Sequence, residues 1–285
     1  MKKINLITLC ILIVFICVSC AKNNNEGINK SSSETNSAKD TSNNEENQAK
    51  DRKIEDYTNE NGDLDLHREI PANHKDDFAY HINESGNVVI DDYIGTDSLL
   101  VFPNEIDGKT VTEIGKLKKN NYVTEIQICN SVKIITDYAF SEWENLRRVS
   151  VFVDKEYIGN GAFAECPNLE LAVIGEADKL GEGIFRNCKK LKEARIEGDT
   201  RILPKDTFAG CVALEDVRLS LGLEAVDEGC FEECDLIGQL YMHKKVNSIK
   251  SFPKNAKMIA YKDSYAYKYA QEKGIQIILS DADLY

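Results

Sequence analysis

The chain has 285 residues, nine cysteines and a formal net charge of −13. A protein this acidic is repelled by nucleic-acid phosphates and by anionic lipid headgroups, so neither is an expected partner. The length allows one or two domains with a sizeable core.

Residues 1–19 have the organisation of an export signal. Lys2 and Lys3 precede an apolar run over residues 4–18, which is shorter than the roughly 20 residues of a membrane span. The run ends in Val18-Ser19-Cys20 and resembles a bacterial lipoprotein signal, although Cys17 stands where that family usually has leucine. The resemblance implies cleavage before Cys20 and its lipidation with acyl chains such as palmitate. That would anchor the protein at the extracytoplasmic face of the cell membrane; an uncleaved anchor helix is the alternative.

The segment that follows the anchor is too polar to form a core. Residues 21–53 are mostly Asn, Ser, Glu, Lys, Thr and Asp, and such a stretch buries too little surface to offset its ordering entropy. We expect residues 20–72 to form the acylated cysteine and a disordered tether. An N-terminal β cap over residues 73–113 follows, with a hairpin whose turn contains Gly86.

A unit of 22–23 residues recurs five times in the second half of the chain. Aligned apolar-type columns at such a period are the signature of a solenoid of stacked repeats. The reference column is Phe140, Phe163, Phe185, Phe208 and Phe231. Three and six residues later come Trp143, Cys166, Cys188, Cys211 and Cys234, then Leu146, Leu169, Leu191, Leu214 and Ile237. Nine and eleven residues later come Val149, Ala172, Ala194, Val217 and Leu240, then Val151, Ile174, Ile196, Leu219 and Met242. Five residues earlier come Ile135, Ile158, Leu180, Leu203 and Val226, and a shortened copy precedes them from Ile114 to Ile128.

The columns predict the form of each repeat. The positions nine and eleven residues after the phenylalanine alternate with polar residues, which is typical of a strand. The Phe-x-x-Cys-x-x-Leu spacing predicts a turn of α- or 3₁₀-helix. A unit of this size cannot bury its own apolar face, so each must stack on its neighbours and add one strand to a parallel sheet.

The pattern resembles the BspA-type leucine-rich repeat of bacterial surface proteins. Ile158-Gly159, Ala162-Phe163, Cys166 and Leu169 carry the resemblance, with their equivalents in the other copies. Residues 106–115 and 264–275 are similar to the family's usual first repeat and closing segment, so the likeness covers roughly residues 78–279. Trp143, Thr207 and Cys230 depart from it. The resemblance implies a right-handed, β-rich α/β leucine-rich-repeat solenoid, displayed at the cell surface for protein binding or adhesion, and it implies no reaction.

We therefore expect one main parallel sheet with short helical or 3₁₀ turns, a β-hairpin N-cap and a C-terminal helix cap. The repeats should span residues 114–250 and the C-terminal cap residues 251–285. Asp263 or Ser264 should start a helix over 263–273, with Gly274 just past its end and a strand at 275–279. Tyr265, Ala266 and Tyr269 should face the last repeat.

The other constellations favour structural interpretations. Besides Cys20, the cysteines that remain after export are the repeat column, Cys129 and Cys230, and they are expected to be buried thiols. Disulfides between adjacent repeats remain open because strand spacing falls within the Cα window of a bridge. His67, His74 and His81 lie seven residues apart among acids, but a metal site needs its ligands on one surface. We expect no metal and no cofactor, and the known catalytic motifs are absent from the sequence.

The outward face of the sheet is the expected binding surface. Positions eight, ten and twelve after each phenylalanine should point away from the core, although a slip of one residue would exchange the faces. Phe152, Leu171 and Val173 should form an exposed apolar patch there, beside stacked Arg195 and Arg218. The candidate partner-binding residues are Arg148, Phe152, Leu171, Val173, Arg195, Arg218 and Tyr241.

The sequence favours a membrane-anchored, non-catalytic module that binds a protein ligand on a host or microbial surface. Two alternatives remain. The first is a structural envelope protein that assembles with itself or with wall components. The second is an enzyme or a small-solute receptor.

Overall fold

The computed structural model describes residues 70–128, 131–151 and 156–280. Cys20, Cys129 and Phe152 therefore lie outside the described residues. Short strands dominate the described part, with a 3₁₀ helix at Lys75–Asp77 and one α-helix, α1, at Tyr265–Lys273. The strands are β1 (Phe78–Ile82), β2 (Val88–Tyr93), β3 (Leu99–Val101), β4 (Glu105–Ile106), β5 (Lys109–Ile114), β6 (Glu125–Ile128), β7 (Ile134–Ile135), β8 (Arg148–Val151), β9 (Tyr157–Ile158), β10 (Leu171–Ile174), β11 (Glu193–Ile196), β12 (Ile202–Leu203), β13 (Asp216–Arg218), β14 (Ala225–Val226), β15 (Gln239–Met242), β16 (Ser248–Ile249), β17 (Lys257–Ala260) and β18 (Ile277–Leu279).

The N-terminal cap contains the expected hairpin. β1 and β2 pair antiparallel, and Gly86 in the connecting turn has a φ of 81°, which suits glycine because it lacks a Cβ. The Asn83 side chain accepts hydrogen bonds from the backbone N–H groups of Ser85 and Asn87, both at 3.0 Å. The expected tether ran to residue 72, but Ile70 is buried in a small cluster with residues of β3. Residues 70–72 therefore belong with the cap.

The strands of the repeats pair in the register that the columns predict. β3, β6, β8, β10, β11 and β13 form one parallel sheet in chain order. Ala172 lies opposite Val149 on one side and Ala194 on the other. β15, β17 and β18 form a three-stranded parallel sheet in the last repeats. We call these two sheets together the rung sheet.

A second series of parallel strands runs along another side of the solenoid, which the expectation of one main sheet missed. Pairs of residues in β5, β7 and β9, and in β12, β14 and β16, lie side by side in successive repeats. The column five residues before the phenylalanine occupies these strands, except Leu180, which forms an isolated bridge to Ile158. A Cβ on Gly159 would fall onto the backbone of Thr136 and Asp137, so the glycine permits this close approach of two repeats.

The five repeated phenylalanines form a single buried file. Adjacent rings in the file stack at centroid distances of 5.2 Å and then 5.8 Å at each of the next three steps, with interplanar angles of 2–23°. Phe231, in the last full repeat, is still only 4% exposed. The other columns join the same core cluster, so each repeat covers the apolar side of its neighbour.

The segment between the phenylalanine and the following leucine is a series of turns and not the expected turn of α- or 3₁₀-helix. The residue two positions after the phenylalanine has left-handed backbone, as at Glu165 and Asn187, each with a φ of 61°. This conformation interrupts a right-handed helix. It turns backbone groups towards the next repeat, where the Glu165 N–H donates to the Arg186 carbonyl at 2.8 Å.

The C-terminal cap consists of the expected helix and strand, and each begins two residues later than expected. Ser264 is the N-cap, and its side chain accepts from the Tyr267 N–H at 3.1 Å. Asp263 has a φ of 63° and stands outside the helix. Ala266 and Ala270 are buried against the last repeats, whereas Tyr265, expected on that face, is 43% exposed. Gly274 ends the helix in the left-handed conformation.

Candidate protein-binding face

The outward side of the rung sheet is the candidate site. We call it the display face and define it by positions eight, ten and twelve after each phenylalanine. The alternate residues Val149, Val151, Ala172 and Ile174 lie in the core cluster, and the display-face residues do not. The expected assignment of inward and outward positions is therefore confirmed for the described strands.

The expected exposed apolar patch is wrong in one of its members. Val173 points away from the core but is only 4% exposed, while Leu171 is half-buried and Phe152 lies outside the described residues. Val173 has Ser150 and Arg195 directly beside it on the neighbouring strands. Because side chains in register stand about 4.8 Å apart, a short residue between two others is shielded from solvent.

Charged side chains are concentrated in the middle strands of the display face, with Arg148 before them. The Arg148 guanidinium lies 3.6 Å from the Glu125 carboxylate of the preceding strand. The expected Arg195, unlike Arg148, is not an exposed cation, because it is 3% exposed and its Nε donates to Glu193 at 2.7 Å. Arg218 lies beside Arg195 on the next strand and is half-buried. The middle of the face therefore presents a paired arginine next to a more accessible one.

An aromatic group lies at the C-terminal end of the display face. The Tyr241 hydroxyl donates to the Tyr261 hydroxyl at 2.9 Å. The His243 ring meets the Tyr261 ring edge-on at a centroid distance of 6.0 Å, and the Lys244 ammonium lies 5.9 Å from the Tyr261 ring centre. Tyr241 was expected from the repeat. Tyr261 was not expected, because the last repeat is shortened and lacks the phenylalanine from which positions are counted. Alignment of β17 with β15 would have placed Tyr261 beside His243.

The cysteine column supports the core and offers no nucleophile. Cys188 donates its S–H to the Phe163 carbonyl of the preceding repeat at 3.1 Å, and Cys211 and Cys234 make the equivalent bonds to Phe185 and Phe208. The five described cysteines are free and buried. Burial raises the pKa of Cys188 and Cys211 far above the ordinary thiol value, and it raises the pKa of Cys234 to about 12. A thiol with such a pKa is protonated and unreactive near neutral pH.

Each of the two described histidines of the N-terminal region lies close to one aspartate. His81 lies 2.9 Å from Asp91 and His74 lies 3.4 Å from Asp76, all at exposed positions. Within the ranges that the structure describes, no three His, Cys, Asp or Glu residues are grouped as metal ligands. His67, the third of the series, lies outside those ranges.

Comparisons with known proteins agree with this architecture. The model of the BspA type leucine rich repeat region matches residues 114–237 in six copies. The sequence has no significant match among curated proteins.

Two solved structures share the fold. A leucine rich cell surface protein from Faecalibacterium prausnitzii is 19% identical and gives a TM-score of 0.54 over 68% of this chain. This chain spans only 55% of that protein's length. The leucine rich repeat protein of T. pallidum is also 19% identical, with a TM-score of 0.50 over 74% of this chain and 100% of its own.

In the described part of the chain, no helix combines the length and the apolar character that a membrane span requires. The repeat family is typical of bacterial surface proteins, as the Faecalibacterium prausnitzii protein illustrates. Five full repeats and one shortened repeat seen in the sequence correspond to the six matched copies. Residues 114–237 of this chain are therefore similar to the BspA-type leucine-rich repeat, in six copies.

Proposed function

We propose that this protein is a lipid-anchored surface module that binds a protein ligand through the display face and catalyses no reaction. The observation that carries the proposal is the contrast between inward and outward positions on the same strands. The inward columns are apolar in every repeat, whereas the outward ones change from Arg148 to Leu171 to Glu193 to Asp216. A rigid sheet with a varied outer surface is suited to recognising one partner.

The mixed chemistry of the face indicates the class of ligand. Arginines and acids lie beside one another on several of its strands, and the aromatic group around Tyr241 lies at one end. Tyrosine and arginine are enriched among the residues that dominate protein–protein binding energy. The five described cysteines are buried and protonated, so these thiols are not nucleophiles.

The binding surface is tested with two matched variants of the full chain. The display-face variant carries Arg148→Glu, Leu171→Asp and Arg218→Glu. The control carries Lys189→Glu, Ile202→Asp and Arg201→Glu, which make equivalent changes in charge and polarity at accessible positions off that face. Proteins captured from host-matrix and microbial-envelope extracts are compared by quantitative mass spectrometry.

We expect a ligand that the parent and the control retain and that the display-face variant loses by at least tenfold. Equal loss in both variants would move the site elsewhere on the molecule. A parent that retains no more protein than either variant would contradict the binding function.

The anchor is tested separately, because Cys20 and the export signal lie outside the described residues. Lipidation would place the solenoid at the extracytoplasmic face, and two acyl chains hold a protein stably where one does not. Cys20→Ala is expected to remove incorporation of a labelled palmitate analogue. It should also release the protein to the medium or leave an uncleaved precursor. A variant that is still processed and still labelled would contradict the anchor.

A further inference from the structure

The rung sheet ends at its C-terminal side in a strand with an open edge. β18 pairs with β17, and no strand of the described residues lies on its other side. The Gln276 carbonyl accepts from the Met258 N–H at 2.8 Å, and the Ser280 N–H donates to the Ala260 carbonyl at 3.0 Å. Because successive residues of a strand alternate sides, the N–H and C=O groups of Ile277 and Leu279 point towards the open edge.

The open edge is also apolar. Ile278 is 37% exposed and Leu279 is 51% exposed, and residues 275–280 carry no charge, proline or glycine. A flat apolar edge without such residues is a template for pairing with another strand. Leu279 lies in the inward column of the sheet, beside Ala260. The open edge therefore leaves the end of the core partly uncovered at this point.

The opposite end of the rung sheet is closed. The Asn73 N–H donates to the Val101 carbonyl of β3 at 3.0 Å, and the Val101 N–H donates to the Asn73 side-chain oxygen at 2.7 Å. Ile70 packs on Leu99 and Val101 of the same strand. A second copy therefore cannot add its β18 to β3, which excludes head-to-tail growth. The sheet can still continue into another copy if the C-terminal edge of one copy pairs with the C-terminal edge of the other.

We propose that β18 pairs antiparallel with β18 of a second copy of this chain, about a two-fold axis at Ile278. Each Ile277 then lies opposite Leu279 of the other copy, and the four residues exchange four backbone hydrogen bonds. The side chains of Ile277 and Leu279 cover one another, which shields the exposed leucine. The two Ile278 side chains meet at the axis on the display face.

The hydrogen-bonding groups favour this register over one centred on Ile277. A two-fold axis at Ile277 would place Leu279 opposite Ile275 of the other copy. The Ile275 N–H is already bonded to the Ala270 carbonyl at 2.9 Å, where it closes the end of α1. An axis at Ile278 instead matches every outward N–H of the strand with an outward carbonyl.

The dimer is expected to be weak. A pair of three-residue strands buries much less than the roughly 1,200 Å² at the lower end of stable protein complexes. Disulfide trapping is therefore the appropriate measurement, because it captures a short-lived pair in one defined geometry.

The test compares Ile278→Cys with Leu279→Cys in the full chain. Directly opposed residues of a non-hydrogen-bonded antiparallel pair have Cα atoms about 4.5 Å apart, which suits a disulfide. The two Leu279 positions would be offset along the strands by two residues, which puts their Cα atoms roughly 8 Å apart and outside that window. Random collision would instead favour the more exposed Leu279 position.

Under mild oxidation we expect Ile278→Cys to form the covalent dimer at least fivefold faster than Leu279→Cys, with the unsubstituted chain giving the background of the native thiols. Equal or faster trapping at Leu279, or trapping at Ile278 no faster than background, would overturn the proposal. No foreign ligand is present, so this result is independent of the binding function proposed above.

A second pair of variants tests the same edge without cysteines. Ile278→Lys places two like charges directly opposite each other, which opposes pairing. Tyr265→Lys changes an exposed residue of α1 away from the axis. In sedimentation at increasing concentration, the parent and Tyr265→Lys should show a rising average mass and Ile278→Lys should not. Thermal unfolding checks that all three are folded. Self-association that survives in folded Ile278→Lys would also overturn the proposal.

Discussion

The inward and outward sides of the rung sheet follow opposite rules. On the inward side, the same type of residue returns in every repeat, and the five phenylalanines stack in a file at nearly constant spacing. On the outward side, Arg148, Leu171, Glu193 and Asp216 occupy equivalent positions of successive strands. The repeated side therefore explains the fold, and the varied side is free to carry recognition.

The comparison also separates two kinds of substitution. An inward residue is fixed by contacts with two neighbouring repeats, so its loss should weaken the whole solenoid. An outward residue contributes little to that stacking, so its loss should affect the proposed binding and leave stability nearly unchanged.

The largest expected effect comes from removing one ring from the file. Phe185→Ala should lower the free energy of unfolding by about 3–5 kcal/mol, as for other large core truncations. Phe185 is fully buried between the rings of Phe163 and Phe208. Chemical denaturation of the variant and the parent measures the difference.

Arg218→Ala is the matched outward control for that variant. It should change the free energy of unfolding by no more than about 0.5 kcal/mol, which is typical of surface sites. If the phenylalanine variant were as stable as the arginine variant, the two sides would not differ in the way described.

An intermediate effect is expected in the cysteine column. Cys188→Ala removes the S–H bond to the Phe163 carbonyl and leaves a small cavity, so it should cost about 1–2 kcal/mol of unfolding free energy. The same substitution at Cys211 should cost about as much, because it makes the equivalent bond to Phe185. A neutral result at both positions would show that neither the S–H bonds nor the volume of the thiols stabilises the repeats.

The smallest effect is expected at Asp137, an exposed link between two repeats. Burial raises the pKa of its carboxyl, but hydrogen bonds from Tyr157 and Asn160 outweigh this and hold the pKa below its ordinary value. A lowered pKa in the folded state stabilises the protein above the unfolded pKa of about 4. That stabilisation is lost as the pH falls through the folded value.

Asp137→Asn should therefore cost less than about 1 kcal/mol at pH 7, since exposed charges are screened. The difference from the parent should shrink as the pH is lowered through the folded-state pKa of Asp137. Unfolding measured at pH 7 and at pH 3 tests this. A difference that grows on acidification would contradict the sign of the pKa shift.

The repeated side of the molecule could be predicted from the sequence in detail. The columns predicted the buried residues and the strand register, because equivalent positions of stacked repeats are buried to the same extent. The turns could not be predicted in this way. Left-handed backbone at Glu165 depends on bonds to the next repeat, because glutamate has no local preference for it. Asn187 is a weak local signal, since asparagine tolerates this conformation better than most residues.

The sequence predicts which side chains of the candidate site point outward, but it does not predict how exposed those side chains are. The outward positions were identified correctly, yet the burial of Val173 and Arg195 depends on the neighbouring side chains. Tyr261 could not be found by spacing from a phenylalanine, because the last repeat has lost that residue. Ile70 was assigned to the tether because its neighbours are polar, although its own side chain packs on β3.

The claim that each repeat seals its neighbour is tested most directly by double-mutant cycles along the file. Phe163→Leu and Phe185→Leu alter adjacent rings whose centroids are 5.8 Å apart, so their effects on unfolding free energy should be non-additive by at least about 0.5 kcal/mol. Phe140→Leu and Phe231→Leu, at opposite ends of the file, should be additive to within that value. Additive effects for the adjacent pair would contradict the stacking on which the whole solenoid depends.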